Sequence, residues 1–266
     1  MSPHGLPVRG KRGSRRCEPP AARKAGLGAS AVALLVLAAT TSARAECPTN
    51  TISLLPSWGS DGVVRTTSAP RDAASKNLTG SFCPDHCSII YGASGDAAYD
   101  LVAGTMNANA YAYGVAKGEA SVSGHDVFTV LGPPSAPPIT FLAQAHVFLA
   151  AGCGYGPTGR GDASIREGTS NSATASTQSC FPYYTADIGV SITRAAGSTF
   201  DLYLTVYALG GPGSVFGGGG DGHASLSLGF PDLPAGYSVV SCQGFGAGQV
   251  VATRRSSWGA IKTLYR

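Results

Sequence analysis

The chain has 266 residues, of which 13% are charged and 43% hydrophobic, and its formal net charge is +4. That charge is misleading, because eight of the 19 Lys and Arg residues sit in the first 45 positions beside a single acid, Glu18, and from Glu46 onward eleven basic residues face fourteen acidic ones. A mildly acidic body gives no basis for a nucleic-acid partner, and no segment of it is apolar enough to cross a bilayer as a helix.

The first 45 residues read as a secretory signal. A basic stretch (Arg9, Lys11, Arg12, Arg15, Arg16, Arg23, Lys24) precedes an apolar run from Ala31 to Ala39, and Ala43-Arg44-Ala45 supplies a small-residue cleavage pattern. Ser14-Arg15-Arg16 has a twin-arginine form, but Glu18-Pro19-Pro20 interrupts the apolar continuation such a signal needs. No lipobox precedes Cys47. The mature chain is therefore expected from Glu46, secreted, periplasmic or on a cell surface. In that compartment cysteines pair. Cys17 leaves with the signal, and Cys47, Cys83, Cys87, Cys153, Cys180 and Cys242 remain as disulfide candidates, with 15 possible connectivities for three bonds.

Residues 46–80 have weak patterning and read as an irregular arm or an edge strand. A β-sandwich domain is expected over 81–245. Within it, Ala108, Ala110 and Ala112 would make a thin, small-residue face. Strand candidates follow at 126–131 and 138–151. Ile188, Val190 and Ile192 alternate with Gly189, Ser191 and Thr193, and Phe200 to Ala208 alternates over nine residues, the period of a half-buried strand. The turn signal Ala196-Gly197-Ser198 between these two runs predicts a β-hairpin. Gly210–Gly222 reads as a loop, and further strands are expected at 224–228 and 237–242. Many short strands between Gly/Pro turns, with no sustained helical stripe, predict an all-β, antiparallel two-sheet sandwich or jelly roll, with a barrel as the alternative. Residues 246–266 form a basic C-terminal tail. Ser256 or Ser257 can cap a short helix there that places Trp258, Ile261, Leu264 and Tyr265 near one face.

The Ala-rich strand at 110–116, the run Gly124-His125-Asp126-Val127-Phe128-Thr129-Val130, the strand Ile139-Thr140-Phe141-Leu142 and the ending Leu233-Pro234-Ala235-Gly236-Tyr237-Ser238-Val239-Val240-Ser241 resemble secreted bacterial β-sandwich surface proteins that carry a PEP-CTERM sorting signal. The resemblance covers about half of the chain. It implies a sandwich fold and no catalytic residues. Such proteins end in a Pro-Glu-Pro motif, a membrane helix and a basic cluster; this chain lacks the first two, so the sorting route does not carry over.

No motif converges on catalysis. Cys83-Pro84-Asp85-His86-Cys87 has zinc-binding side chains, but no second close pair completes a four-ligand site, and the export signal favours disulfide pairing. His86, His125, His146 and His223 have no Gly-x-Ser-x-Gly elbow to work with. Gly217–Gly222 matches one turn of a calcium-binding glycine repeat, which needs stacked copies; Asp221 and His223 are its candidate binding groups. Arg160-Gly161-Asp162 matches an integrin-binding tripeptide in a Gly-rich turn, and Asn77-Leu78-Thr79 is a glycosylation sequon. Tyr203 and Tyr207, with Tyr111, Tyr113, Tyr183 and Tyr184, are candidate aromatic contacts for a glycan. Arg254, Arg255, Trp258, Lys262 and Arg266 make the tail a candidate recognition tag. No catalytic residue, metal or cofactor is expected. The function read from the sequence is an exported, non-enzymatic sandwich with a structural or adhesive surface role and an unidentified glycan or cell-surface partner; the alternatives are a carbohydrate-binding module and a secreted hydrolase.

Overall fold

The computed structural model describes residues 47–55, 62–82, 89–152, 159–178, 183–212 and 218–246. Every described strand belongs to the compact unit that starts at Ala45. Seven strands form one sheet in the order β2 (Val63–Thr67), β1 (Asn50–Leu54), β6 (Gly118–Leu131), β11 (Thr199–Gly210), β8 (Arg160–Glu167), β9 (Asn171–Gln178), with β13 (Ser238–Ser241) also paired to β6. Six form the other, in the order β10 (Tyr184–Arg194), β7 (Ile139–Ala151), β12 (Gly219–Gly229), β5 (Thr105–Tyr113), β4 (Ile89–Asp100), β3 (Arg71–Phe82). All pairings are antiparallel. The all-β sandwich is as the alternation predicts. No helix among the described residues is long and apolar enough to cross a membrane.

The inner faces grade in side-chain size along the strands, and this shapes the sandwich. On β11 the buried series runs Phe200, Leu202, Leu204, Val206, Ala208, Gly210. On β12 it runs in the opposite chain direction, Gly222, Ala224, Leu226, Leu228, with Phe230 just beyond the strand. On β8 it is Gly161, Ala163, Ile165. Two packed sheets normally stand about 10 Å apart. At the glycine end they come closer, until backbone meets backbone. A Cβ on Gly161 would lie 2.3 Å from the His223 carbonyl oxygen, and one on Gly222 would lie 2.3 Å from that of Arg160. At the other end a cluster of aromatic rings fills the wider gap. Phe128 stacks on Phe200 at 5.5 Å between centroids, and Phe141, Phe230 and Phe245 meet this pair edge-on. The domain is a wedge, and its taper is written in residue volumes.

Four expectations are corrected. The predicted hairpin of 188–208 is an arch: β10 pairs with β7 in the six-stranded sheet, and β11 pairs with β6 and β8 in the seven-stranded one. Alternation shows that each run has one buried face, and both faces are buried here, against the same core from opposite sides. The link bends at Gly197 (φ +82°), whose N–H donates to the Val130 carbonyl at 2.7 Å. Residues 46–80, expected as an irregular arm or an edge strand ahead of a sandwich that starts at 81, are part of the sandwich, with the edge-strand reading holding for two of their strands. They supply β1, inserted between β2 and β6, while β2 and β3 edge their sheets. The Gly210–Gly222 loop is shorter than expected, since β11 runs to Gly210 and β12 starts at Gly219; the cause is the close sheet approach, which uses Gly as strand residues. Arg160-Gly161-Asp162 lies in β8 and not in a turn, with Gly161 facing inward and the Arg160 Nε 2.6 Å from Asp162 Oδ2.

Cys47 and Cys242 are disulfide-bonded, and a buried polar network reinforces that junction. Asn50 Nδ2 donates to Gln243 Oε1 at 2.9 Å, Gln243 Nε2 donates to the Pro48 carbonyl at 2.8 Å, and the His125 N–H donates to Asn50 Oδ1 at 3.1 Å. Asp126 Oδ1 accepts from the Val127 N–H at 2.8 Å and the Gln243 N–H at 3.3 Å, whereas its buried Oδ2 has no hydrogen-bond partner. Burial pushes the Asp126 carboxyl above its ordinary range against these bonds. The folded state therefore holds a proton that the unfolded state releases near pH 4. This group's contribution falls as pH rises through the raised pKa and is flat above it. Asp126→Asn keeps the Oδ1 acceptor and removes the buried charge. It is expected to be at least as stable as the wild type at pH 7, with an advantage that shrinks on acidification towards pH 4. Thermal melts of both proteins across that range check this; an advantage that grows on acidification contradicts it.

Candidate functional site

The outer face of the seven-stranded sheet is polar because every second residue of β6, β11, β8 and β9 faces away from the core. Tyr203 and Tyr207 both point out of β11, four residues apart, which on a strand is roughly 13 Å. Register sets their neighbours. Tyr203 lies opposite His125 on β6 and Arg166 on β8. The result is a stack of three planar groups, with the His125 ring 4.2 Å from one face of Tyr203 and the Arg166 guanidinium 4.4 Å from the other. Such cation–π contacts contribute about 0.5–1 kcal/mol at exposed sites. His125 Nε2 is also held by Asp201 at 2.8 Å.

Tyr207 has smaller lateral neighbours, Ser121 and Asp162, and no ring is stacked on it among the described residues. Burial, and the negative charge and hydrogen bonding of Glu119, push its phenol up to about 12. It therefore stays a neutral hydrogen-bonding group at any physiological pH. Two depressions lie along this face, one of about 420 Å³ at Tyr203 and one of about 310 Å³ at Tyr207. They share Ser164, Thr174 and Thr205 and so form one groove that runs across β8, β9 and β11.

Asp221 and His223 are on the other side of the molecule, on the outer face of the six-stranded sheet. The two pairs of candidate binding residues, Tyr203 with Tyr207 and Asp221 with His223, thus lie on opposite faces. His223 ends a cross-strand ladder: its Nδ1–H donates to Asn109 Oδ1, and Asn109 Nδ2 donates to Asp96 Oδ2 at 2.6 Å. Burial lowers the His223 pKa from the ordinary imidazole value, which keeps it neutral in neutral solution. The Phe148 ring packs edge-on against it at 5.3 Å. A largely apolar pocket of about 460 Å³ lies beside them. His146 also borders this pocket and pairs with Asp187 at 2.8 Å. Asp221 is exposed at the narrow end, packed against Gly152.

Tyr111 and Tyr113 share the outer face of the six-stranded sheet, with ring centroids 6.0 Å apart, and Tyr183 and Tyr184 are exposed at the start of β10. No group of three or more His, Cys, Asp or Glu able to hold a metal ion occurs among the described residues. A further cavity, of about 660 Å³, sits at the wide end of the wedge over Phe230, Tyr237 and Phe245. Cys83, Cys87, Cys153, Cys180, His86 and the tail group Arg254, Arg255, Trp258, Lys262 and Arg266 lie outside the described residues.

Sequence reasoning missed Arg166 and the pairing of His125 with Asp201. The available signal was Arg166 on the polar phase of the alternating run Arg160–Glu167; its register with Tyr203, 37 residues away, is not local information.

The fold and this face define an antiparallel β-sandwich with a polar, tyrosine-bearing groove on one sheet. Among solved structures the chain is similar to the carbohydrate-binding module TmCBM61, solved in complex with beta-1,4-galactotriose, at 7% sequence identity and a TM-score of 0.25, over 56% of this chain and 86% of that one. A similarity of that size carries no argument about function. No family model and no curated protein matches the chain.

Proposed function

We propose that this protein is an exported, non-enzymatic surface β-sandwich that binds glycan chains along the outer groove of its seven-stranded sheet. The observation that carries the reading is the groove itself. Two depressions joined through Ser164, Thr174 and Thr205 present a run of hydroxyls, with a tyrosine at each end, on rigid strands. An extended polyol needs this combination of many directional hydrogen bonds and an aromatic contact, held without loop ordering. The export signal, the charge-poor body and the Cys47–Cys242 disulfide suit a protein that works outside the cytoplasm. This merges the adhesive reading of the sequence with its carbohydrate-binding alternative.

Thr205 borders both depressions and is a half-buried, outward-facing residue of β11, so Thr205→Trp fills the middle of the groove. On a glycan array, wild-type protein is expected to retain oligosaccharides that Thr205→Trp does not. Tyr207→Ala should weaken the same ligands about tenfold or more, the size of loss typical of a buried aromatic anchor. His146→Ala, on the opposite sheet, should bind as wild type does. Equal retention by wild type and Thr205→Trp overturns the assignment of the groove.

A further inference from the structure

Resting on the glycan reading of this groove, we propose that its Tyr203 end is specific for an acidic sugar, one that carries a carboxylate or a sulfate ester, with Arg166 as the anion-binding group. The chemistry of the lining points there. Seven Ser and Thr residues border this depression, together with Tyr203, His125 and Arg166, and no carboxylate and no side-chain amide does so among the described residues. Neutral sugars present hydroxyls that must both donate and accept, and carboxylates and amides are the strong acceptors among side chains. The Ser and Thr hydroxyls of this lining both donate and accept, and Arg166, which only donates and carries the one fixed positive charge, is the group that favours an anionic acceptor.

The nearby charges reinforce this. Asp201, next on the polar phase of β11, has its carboxylate held by His125 Nε2 at 2.8 Å. Arg166 has no ion-pair partner among the described residues, although Arg65, Arg71, Arg160 and Arg194 each have one. Arg166 is exposed, and its guanidinium carbon lies over the Tyr203 ring, 4.4 Å from the centroid, while His125 stacks on the same ring. The contact with the ring restrains the guanidinium without neutralising its charge. A planar fork held in this way loses little freedom when it binds a carboxylate or sulfate. The Tyr207 end differs: there Arg160 and Asp162 neutralise each other at 2.6 Å, so that half of the groove suits a neutral ring. The ligand class is a glycan with an acidic residue beside a neutral one. The chain's acidic body, seven basic against fourteen acidic residues over 46–245, makes this selectivity local and not a long-range attraction.

The test uses the mature chain, from Glu46, and three probes: oligogalacturonate, its methyl ester and a sulfated galactan oligosaccharide. By calorimetry in 50 mM NaCl, wild type is expected to bind at least one anionic probe about tenfold more tightly than the methyl ester, and the difference should shrink in 500 mM NaCl. Arg166→Gln should bind all three as wild type binds the ester. A circular-dichroism melt confirms that this exposed substitution folds. The carboxylate and sulfate arms identify which anion is preferred, and a preference for either supports the inference. Equal binding of the ester and of both anionic probes by wild type, with binding still lost in Thr205→Trp, overturns the inference and leaves the groove standing. An anion preference that survives in Arg166→Gln overturns the role of Arg166. Failure of every probe and of the glycan array removes the glycan reading and this inference with it.

Discussion

Gly222→Val is expected to yield no folded domain. A Cβ at this position would stand 2.3 Å from the Arg160 carbonyl oxygen and 2.4 Å from that of Leu209, both backbone atoms of the opposing sheet. Neither can turn aside as a side chain would. The sheets would have to separate along the narrow end, where Gly161 makes the same kind of contact with the His223 carbonyl. Overpacking by a methylene in a core that can relax costs about 1–3 kcal/mol; a branched side chain driven against two strands exceeds that and approaches the whole stability of an ordinary domain, about 5–15 kcal/mol. Gly222→Ala should already lower the melting temperature clearly. Gly229→Ala, on the same strand with nothing within 4 Å of its Cβ position, should be close to neutral. A Gly222→Val protein that melts within a few degrees of wild type would show that the sheets do not touch there.

Removal of the Cys47–Cys242 bond is the second large effect. The bond closes a loop of 195 residues in the unfolded chain, for which the loop-closure relation gives about 5 kcal/mol. Cys47→Ala should therefore lower the melting temperature by roughly 10–20 °C in a domain of this size. The Asn50–Gln243 hydrogen bond and the Phe245 ring in the aromatic cluster still hold the C-terminal turn on the sandwich. The variant is thus expected to fold in the cold and to unfold first where β1 and β13 flank β6. A melt indistinguishable from wild type would mean that this cross-link adds nothing to stability.

The sandwich was legible because alternation is local. Phe200–Ala208 and Ile188–Thr193 show their buried faces in the sequence, and so does the Ala108, Ala110, Ala112 series, which the structure buries on β5. Pairing is not local. The turn at Ala196-Gly197-Ser198 looks the same whether the chain returns in its own sheet or crosses to the other, and the choice rests on β10 finding β7 and β11 finding β6. Gly161, Gly210 and Gly222 read as turn residues because a turn is the usual reason for glycine; here they let two backbones meet. The candidate site suffered in the same way. Tyr203, Tyr207, Asp221 and His223 are recognisable as polar or aromatic positions on strands, but which sheet each strand joins decides that the first two share a groove and the last two do not. Arg166 drew no attention because an isolated Arg on an exposed strand face is common, and only the register with Tyr203 gives it a partner.

The central claim is that one groove on the seven-stranded sheet is the ligand-binding surface. The most direct measurement is a titration of the isotope-labelled protein with a glycan retained on the array, followed by amide chemical-shift changes. The account predicts changes concentrated at Ser164, Thr174, Tyr203, Thr205 and Tyr207. Changes that fall instead around Phe148 and His223 on the opposite face, or no change with any glycan, would contradict it.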